Sequence, residues 1–228
     1  MLCDQANALA RTEKPFATEG ALPLKDTVAA CASYRNPLFD YFAGYALEKM
    51  GHADLAKKRY EQAAAQSTDY CFPNRHEEYA VLRRAAVLCP ELANTWYYLG
   101  NVEWNYDQKE TALASWKKAL ALKPDHALAL RNVGFGLAHP GTYFTNTGIP
   151  TGVPSEEAYG YYVKALAADP SNFRALEEMD KLAEKLGKGT AERLDAMKKY
   201  RATAEKYDAC ILRMAYLFNE AGDYDSSL

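Results

Sequence analysis

Two short segments of this sequence carry residue types that can bind a metal ion or a phosphate group. Residues 76–80 (HEEYA) match the first half of the zinc-binding pattern His-Glu-x-x-His, but Ala80 stands where the second histidine ligand is required. Residues 187–190 (GKGT) match the end of a phosphate-binding loop, but Leu182 occupies the position of its first glycine. The sequence also shows no nucleophilic side chain together with a basic residue that could activate it. We therefore predict no catalytic residue, no metal, no cofactor and no enzymatic activity.

A second group of residues has the chemistry of binding rather than of catalysis. Aromatic rings offer stacking faces, and Asn and Arg offer planar hydrogen-bonding groups that can clamp a peptide backbone, a carboxylate or a sugar. Such residues recur on one face of two predicted helices: Tyr97, Asn101, Trp104 and Asn105 on the first, and Arg131, Asn132 and Phe135 on the second. For Trp104 and Phe135 the alternative is packing between helices.

The helices that position these residues follow from an internal repeat of 34 residues. Five pairs match at this offset: Leu82 and Trp116, Ala85 and Ala119, Pro90 and Pro124, Leu99 and Val133, and Gly100 and Gly134. Small residues let paired helices approach closely and large ones fill the remaining space, while proline ends a helix. The pattern predicts pairs of antiparallel helices that bury their apolar faces only by stacking on their neighbours.

One complete repeat carries a recognisable signature. The pattern Trp96-x-x-Leu99-Gly100, followed by Ala112-x-x-x-Trp116-x-x-Ala119 and closed by Pro124, resembles the tetratricopeptide (TPR) repeat, with Glu103 at the position of its tyrosine. The resemblance implies an all-α fold, a right-handed TPR-like superhelical solenoid of antiparallel helix pairs. It also implies that the first helix of each repeat lines a concave groove, which is where the candidate binding residues lie.

Changes in the repeat spacing predict the domain plan. The offset from Trp116 to Tyr162 is 46 residues, so about twelve residues are inserted, whereas the offset from Tyr60 to Leu82 is 22, so one helix is missing. We predict an N-terminal helical cap (1–35) and an array (36–228) made of a repeat (36–68), a half repeat (69–91), a repeat (92–125), a repeat with an inserted loop (126–171, loop 139–154), a divergent repeat (172–207) and a truncated repeat (208–228).

The inserted loop is the clearest departure from a plain repeat. It holds three Gly and three Pro and shows no helical periodicity. Long loops in compact domains are usually functional or disordered. We predict that Tyr143 and Phe144 fold back over the groove as a lid that contributes to binding, and the alternative is a mobile surface loop.

The end of the sequence resembles an interrupted repeat. Residues 221–224 (AGDY) resemble the turn between the two helices of a repeat, and Leu228 arrives before a second helix can form. Solenoids normally finish with a polar capping helix. We expect either a longer natural protein or a partner over this end, including self-association through it.

A second resemblance concerns the repeat tail of a large, uncharacterised bacterial family. It rests on Asn36-Pro37-Leu38, the link 69–75 (DYCFPNR) with Glu77-Glu78, and residues 97–101 (YYLGN). Members of that family carry a β-rich, sugar-enzyme-like domain ahead of the repeats, and we expect no such domain within the 228 residues of this sequence. The resemblance implies an alternative function, a helical accessory module of a carbohydrate-processing protein or pathway that binds sugar.

Composition narrows the class of partner. The formal net charge is −3 and no run of five Lys or Arg occurs, so we expect no nucleic-acid partner. No stretch reaches the ~18 apolar residues of a membrane span, and the first residues do not form a signal peptide. Five scattered cysteines without a C-x-x-C pair indicate a reducing compartment. We predict a soluble, cytoplasmic scaffold that binds a protein or peptide in its groove.

Overall fold

The computed structural model describes residues 36–139 and 155–224, and the regular structure within these ranges is α-helical. This confirms the predicted all-α class. The helices are α1 (Pro37–Lys49), α2 (Ala53–Ala64), α3 (His76–Leu88), α4 (Ala93–Asn105), α5 (Lys109–Leu122), α6 (Ala127–Ala138), α7 (Glu156–Ala168), α8 (Phe173–Lys185), α9 (Thr190–Lys199), α10 (Arg201–Ala204) and α11 (Asp208–Glu220). The predicted cap (1–35) and the predicted lid residues Tyr143 and Phe144 lie outside the described residues.

The chain divides into two compact units between Leu122 and Lys123. The first unit contains α1 to α5, and the second contains α6 to α11. No helix in either described range is long and apolar enough to cross a membrane.

In the first unit, glycine sets the contact within each helix pair. Helix α1 packs on α2 and α4 packs on α5, while α3 contacts both α1 and α4. A Cβ atom at Gly44 would lie 2.6 Å from the ring of Tyr60, and one at Gly100 would lie 2.5 Å from the indole of Trp116. These are distances that no side chain tolerates, so the helices approach this closely because both positions are glycine.

Tyrosines fill the core of this unit. Tyr41, Tyr60 and Tyr98 are fully buried, and the rings of Tyr41 and Tyr98 meet edge to face at 6.0 Å. The Tyr41 hydroxyl is 2.8 Å from Thr95 Oγ1, so each of these buried hydroxyl groups has a hydrogen-bond partner inside the core. Burial raises the pKa of Tyr41 above its usual range. This core ties α1 to α4 across 54 residues of sequence.

An irregular connection leads into α3. Cys71 is buried in it, and Glu78 Oε2 accepts hydrogen bonds from the backbone N–H groups of Asn74 (2.5 Å) and Arg75 (2.8 Å). Glu78 therefore satisfies donors at the start of α3 that the helix itself leaves unpaired.

In the second unit, α6 packs on α7, α7 on α8, and α8 on α9 and α11. A buried ion cluster joins the last three of these helices. Asp180 on α8 accepts from Arg193 Nε (2.9 Å) and Nη2 (3.1 Å) on α9 and from Arg213 Nε (2.5 Å) on α11. Arg213 also donates to Glu184 at 2.9 Å. Both charges of the Asp180–Arg193 pair are buried, so their compensation comes from within this cluster.

Candidate functional site

The end of α4 holds a partly exposed indole in a fixed position. The ring of Trp104 lies 5.4 Å from that of Trp116 on α5, and the Lys109 ammonium lies 3.9 Å from its centroid. Lys109 is in turn 3.1 Å from Asp107. Trp104 is half-buried, so it packs between helices and also presents surface. A ring already held by its neighbours loses little further freedom when a partner contacts it.

The other predicted residues of α4 lie in three different environments. Asn101 is half-buried, and its Oδ1 accepts a hydrogen bond of 3.0 Å from Trp116 Nε1. Asn105 is exposed and donates to the carbonyl oxygen of Asn74 at 3.4 Å. Tyr97 is only 5% exposed and packs beside Tyr98 at 5.3 Å. The accessible face of α4 therefore consists of Asn101, Trp104 and Asn105, with Tyr97 in the core beneath it.

A neighbouring group was not predicted from the sequence. His76 stacks on Tyr106 at 4.4 Å, and the ring of Tyr79 lies 6.4 Å from Tyr106. The Tyr106 hydroxyl donates to the carbonyl oxygen of Asn74 at 3.0 Å, the same oxygen that Asn105 contacts. We call His76, Tyr79, Asn105 and Tyr106 the aromatic edge.

The sequence positions of the aromatic-edge residues give little indication that these residues lie together. His76 and Tyr106 are 30 residues apart in sequence, and the pattern that includes His76 resembles an incomplete zinc-binding motif. The signal that could have found the edge is local: an aromatic residue directly follows the last residue of α4, and another lies in the first turn of α3.

On α6 the predicted residues form a second group. Arg131 donates from Nε to Glu178 Oε2 at 2.7 Å, and its Nη1 donates to Asn132 Oδ1 at 3.0 Å. Its guanidinium lies 5.0 Å from the ring of Phe135, which stacks on His139 at 4.4 Å. The structure thus brings Arg131, Asn132 and Phe135 together. Glu178 neutralises the charge of Arg131, so this face presents rings and an amide more than a cation.

Buried ionisable groups of both units have structural roles. Burial raises the pKa of Glu103, whose carboxylate accepts a 2.6 Å hydrogen bond from Ser115. Burial lowers the pKa of His126 to about 4, and its Nδ1 accepts from the backbone N–H of Ala129 at 3.3 Å at the start of α6. Across the two described ranges, no group of three His, Cys, Asp or Glu side chains is placed to hold a metal ion.

Comparison with known proteins supports the fold. No protein-family model matches the sequence, and no curated protein is significantly similar to it. Among solved structures, PilF of Pseudomonas aeruginosa is 20% identical, with a TM-score of 0.53 over 84% of this chain and 71% of that chain. A double mutant of MamA RS-1 is 14% identical (TM-score 0.52, 84% of this chain, 88% of that chain).

The fragment 41-end of MamA from Desulfovibrio magneticus RS-1 is also 14% identical, with a TM-score of 0.51 over 84% of this chain and 88% of that chain. PilF and MamA are TPR-repeat proteins. At these identities the likeness concerns the fold, and it supports a TPR-like arrangement of helix pairs.

Proposed function

We propose that this chain is a non-catalytic scaffold that binds peptide or protein segments, with one binding face in each unit: the accessible face of α4 in the first unit and that of α6 in the second. The main support for the proposal is the environment of Trp104. Its large ring contacts Trp116 and Lys109, and part of the ring is still exposed to solvent. Rigid aromatic residues of this kind dominate the energetics of protein interfaces. The TPR-like fold supports the same conclusion, since such arrays offer extended binding surfaces.

The chemistry of each face by itself suits a peptide backbone with apolar side chains. Each face offers one ring for an apolar side chain, Trp104 on α4 and Phe135 on α6. Each also carries an amide that can pair with peptide N–H and C=O groups, Asn105 on α4 and Asn132 on α6. Arg131 already forms an ion pair with the carboxylate of Glu178. We therefore do not propose that Arg131 binds the terminal carboxylate of a peptide. Arg131 instead orients Asn132 and Phe135.

The cysteines support a reducing location. Cys71, Cys89 and Cys210 are buried free thiols, and burial raises the pKa of each to about 11. Unreactive thiols that pack as small apolar groups are typical of proteins of reducing compartments. A cytoplasmic protein is therefore part of the proposal.

A sugar-binding module is the second candidate, and the aromatic edge is the observation that favours it. His76, Tyr79 and Tyr106 present stacking faces beside the amides of Asn105 and Gln108. Rings together with amides are the groups that pair with the apolar faces and hydroxyls of a sugar.

Selection of peptides on the full chain tests the leading proposal. A displayed random peptide library is panned on the 228-residue protein, and the recovered peptides are measured by isothermal titration against wild type, Trp104→Ala and Asn105→Ala. Loss of an interface anchor of this type removes ~2 kcal/mol or more, so we expect Kd to rise about thirtyfold for Trp104→Ala. Leu55→Ala, which changes an exposed apolar residue of α2, is the matched control and should leave Kd unchanged.

One further measurement and the second variant keep the result interpretable. Trp104 also packs on Trp116, so thermal melting must show that Trp104→Ala is folded at the temperature of the titration. Asn105 is exposed and its removal should not disturb the fold. Peptides that bind both variants as tightly as wild type would refute the proposal. Binding of glycans from an array, lost in Tyr106→Ala, would favour the sugar-binding module instead.

A further inference from the structure

Helix α1 carries a continuous apolar stripe. The stripe consists of Phe39, Phe42, Ala43 and Ala46, together with Met50, which directly follows the helix. Their spacing of three or four residues places all five within about 100° of the helix surface. Phe39 and Met50 are 60% and 41% exposed, and the three residues between them are half-buried. We call these five residues the α1 stripe.

The other side of α1 makes the contacts of the first unit. It packs on α2 and α3 and holds the buried residues Leu38, Tyr41, Gly44 and Leu47. Both acidic residues of the helix also act on this side. Asp40 accepts hydrogen bonds from Arg59 (3.1 Å) and Gln66 (2.5 Å). Glu48 accepts one of 3.0 Å from Arg84 Nε.

Helix α1 is therefore apolar on both sides. Its one exposed charged residue is Lys49, at the C-terminal end. Helix α2 shows the contrast, since its exposed side carries Lys57, Lys58 and Glu61, and Leu55 is its one large apolar residue that is exposed. A helix that is apolar all round is normally covered all round, and a continuous apolar stripe marks a contact surface.

The chain itself leads to this surface. Residues 1–35 run into Asn36, the N-cap of α1, beside the first residue of the α1 stripe. A segment tethered this closely has an effective concentration of about millimolar, well above that of most separate partners. The other residues outside the described ranges suit the stripe less, because 140–154 contain three Gly and three Pro and 225–228 are only four residues.

Residues 23–34 (PLKDTVAACASY) have the pattern of a helix with one apolar face. Leu24, Val28 and Cys31 follow each other at intervals of four and three residues, which places them on one side of a helix. Pro23 suits the first position of a helix. A helix over this range is about 18 Å long, and the α1 stripe is about 17 Å long.

We propose that residues 23–34 form a helix that packs antiparallel to α1 and covers the α1 stripe. The two-residue connection between the helices sets their alignment, and in it the sizes of facing side chains are complementary. The small Cys31 lies beside the ring of Phe39, and the larger Val28 lies over Ala43. This cap goes beyond the proposed function, because it does not involve the binding faces of α4 and α6.

Hydrogen exchange followed by mass spectrometry tests the proposal on the 228-residue protein. We expect the amides of residues 23–34 to exchange at least about tenfold more slowly than in a synthetic peptide of residues 20–38. Phe39→Asp and Val28→Asp each place a charge in the contact and should remove this protection. Leu55→Asp, which changes an exposed apolar residue of α2, is the matched control and should retain it.

The Cys31 thiol provides a second measurement, which separates a docked helix from an undocked one. Iodoacetamide reaches a thiol on an undocked helix, whereas a thiol packed against α1 is shielded. We expect Cys31 to be labelled at least about tenfold faster in Phe39→Asp than in wild type, as mass spectrometry of the digested protein would show.

The amides of α4 report whether the first unit stays folded. Val28 lies ahead of α1, so Val28→Asp keeps the test decisive if Phe39→Asp unfolds the unit. Exchange of residues 23–34 as fast as in the synthetic peptide would overturn the proposal, and so would protection that survives Val28→Asp. Protection that disappears on dilution, together with a dimer in light scattering, would also overturn it, because a second copy would then cover the stripe.

Discussion

Replacing Gly100 by alanine should destabilise the first unit, although alanine is the better helix former. Gly100 lies inside α4, where alanine alone would add roughly 1 kcal/mol of helix propensity. Its new Cβ would lie 2.5 Å from Trp116 Cδ1 and Nε1 and 3.0 Å from the backbone oxygen of Ala112. The indole must therefore move, because the backbone behind the position cannot.

The size of this destabilisation follows from the contacts that the Trp116 indole loses when it moves. Overpacking of a close helix contact costs about 1–3 kcal/mol. The hydrogen bond from Trp116 Nε1 to Asn101 Oδ1, 3.0 Å long, contributes about 1 kcal/mol more if it breaks. The gain in helix propensity offsets part of these two costs. We therefore expect Gly100→Ala to lower the free energy of unfolding by about 1–3 kcal/mol.

Gly160 provides the matched control, since it is also inside a helix and a Cβ there would meet nothing within 4 Å. Gly160→Ala should raise the stability of the second unit by up to about 1 kcal/mol. All three tryptophans (96, 104 and 116) lie in the first unit, so tryptophan fluorescence in urea follows that unit, and far-UV circular dichroism follows both. If Gly100→Ala raised the midpoint of the fluorescence transition, the close contact would not be the reason for glycine at this position.

Three further predictions concern the second unit. Asp180→Ala removes the buried carboxylate that pairs with Arg193 at 2.9 Å, which leaves the longer ion pair of Arg193 with Glu184 at 3.6 Å, and should lower the free energy of unfolding by about 3–5 kcal/mol. Lys181→Ala on the exposed side should change it by less than about 0.5 kcal/mol in urea denaturation. Because burial lowers the pKa of His126 to about 4 from 6.5, stability should be complete above pH 6.5 and fall by up to about 3 kcal/mol towards pH 4. His126→Asn, which keeps a capping acceptor, should weaken that pH dependence between pH 7 and 4.5, and an unchanged slope would refute the assignment. Burial raises the pKa of the Cys210 thiol to about 11, so iodoacetamide at pH 8 should label it far more slowly in the native protein than in urea, as mass spectrometry of the digested protein would show.

The sequence by itself determined the helices and how they pair. Gly100 and Gly134 are matched small positions of the repeat, and they predicted the close contacts that α4–α5 and α6–α7 make. The aromatic partner follows 16 residues later in the first case (Trp116) and 28 residues later in the second (Tyr162), where twelve residues are inserted. Proline at 124 predicted the end of α5 at Leu122. These features are local, because helix ends and the spacing of small and large residues follow from the geometry of a single helix or helix pair.

Tertiary structure decided which side chains of a helix face remain accessible. Periodicity placed Tyr97 and Asn105 on the same face of α4, yet Tyr97 is buried beside Tyr98 and Asn105 is exposed. It also could not show that Asn101 is bonded to Trp116, or that His76 stacks on Tyr106. The physical reason is that burial and pairing depend on neighbours contributed by other helices, whereas a repeat pattern specifies only the direction in which a side chain leaves its own helix.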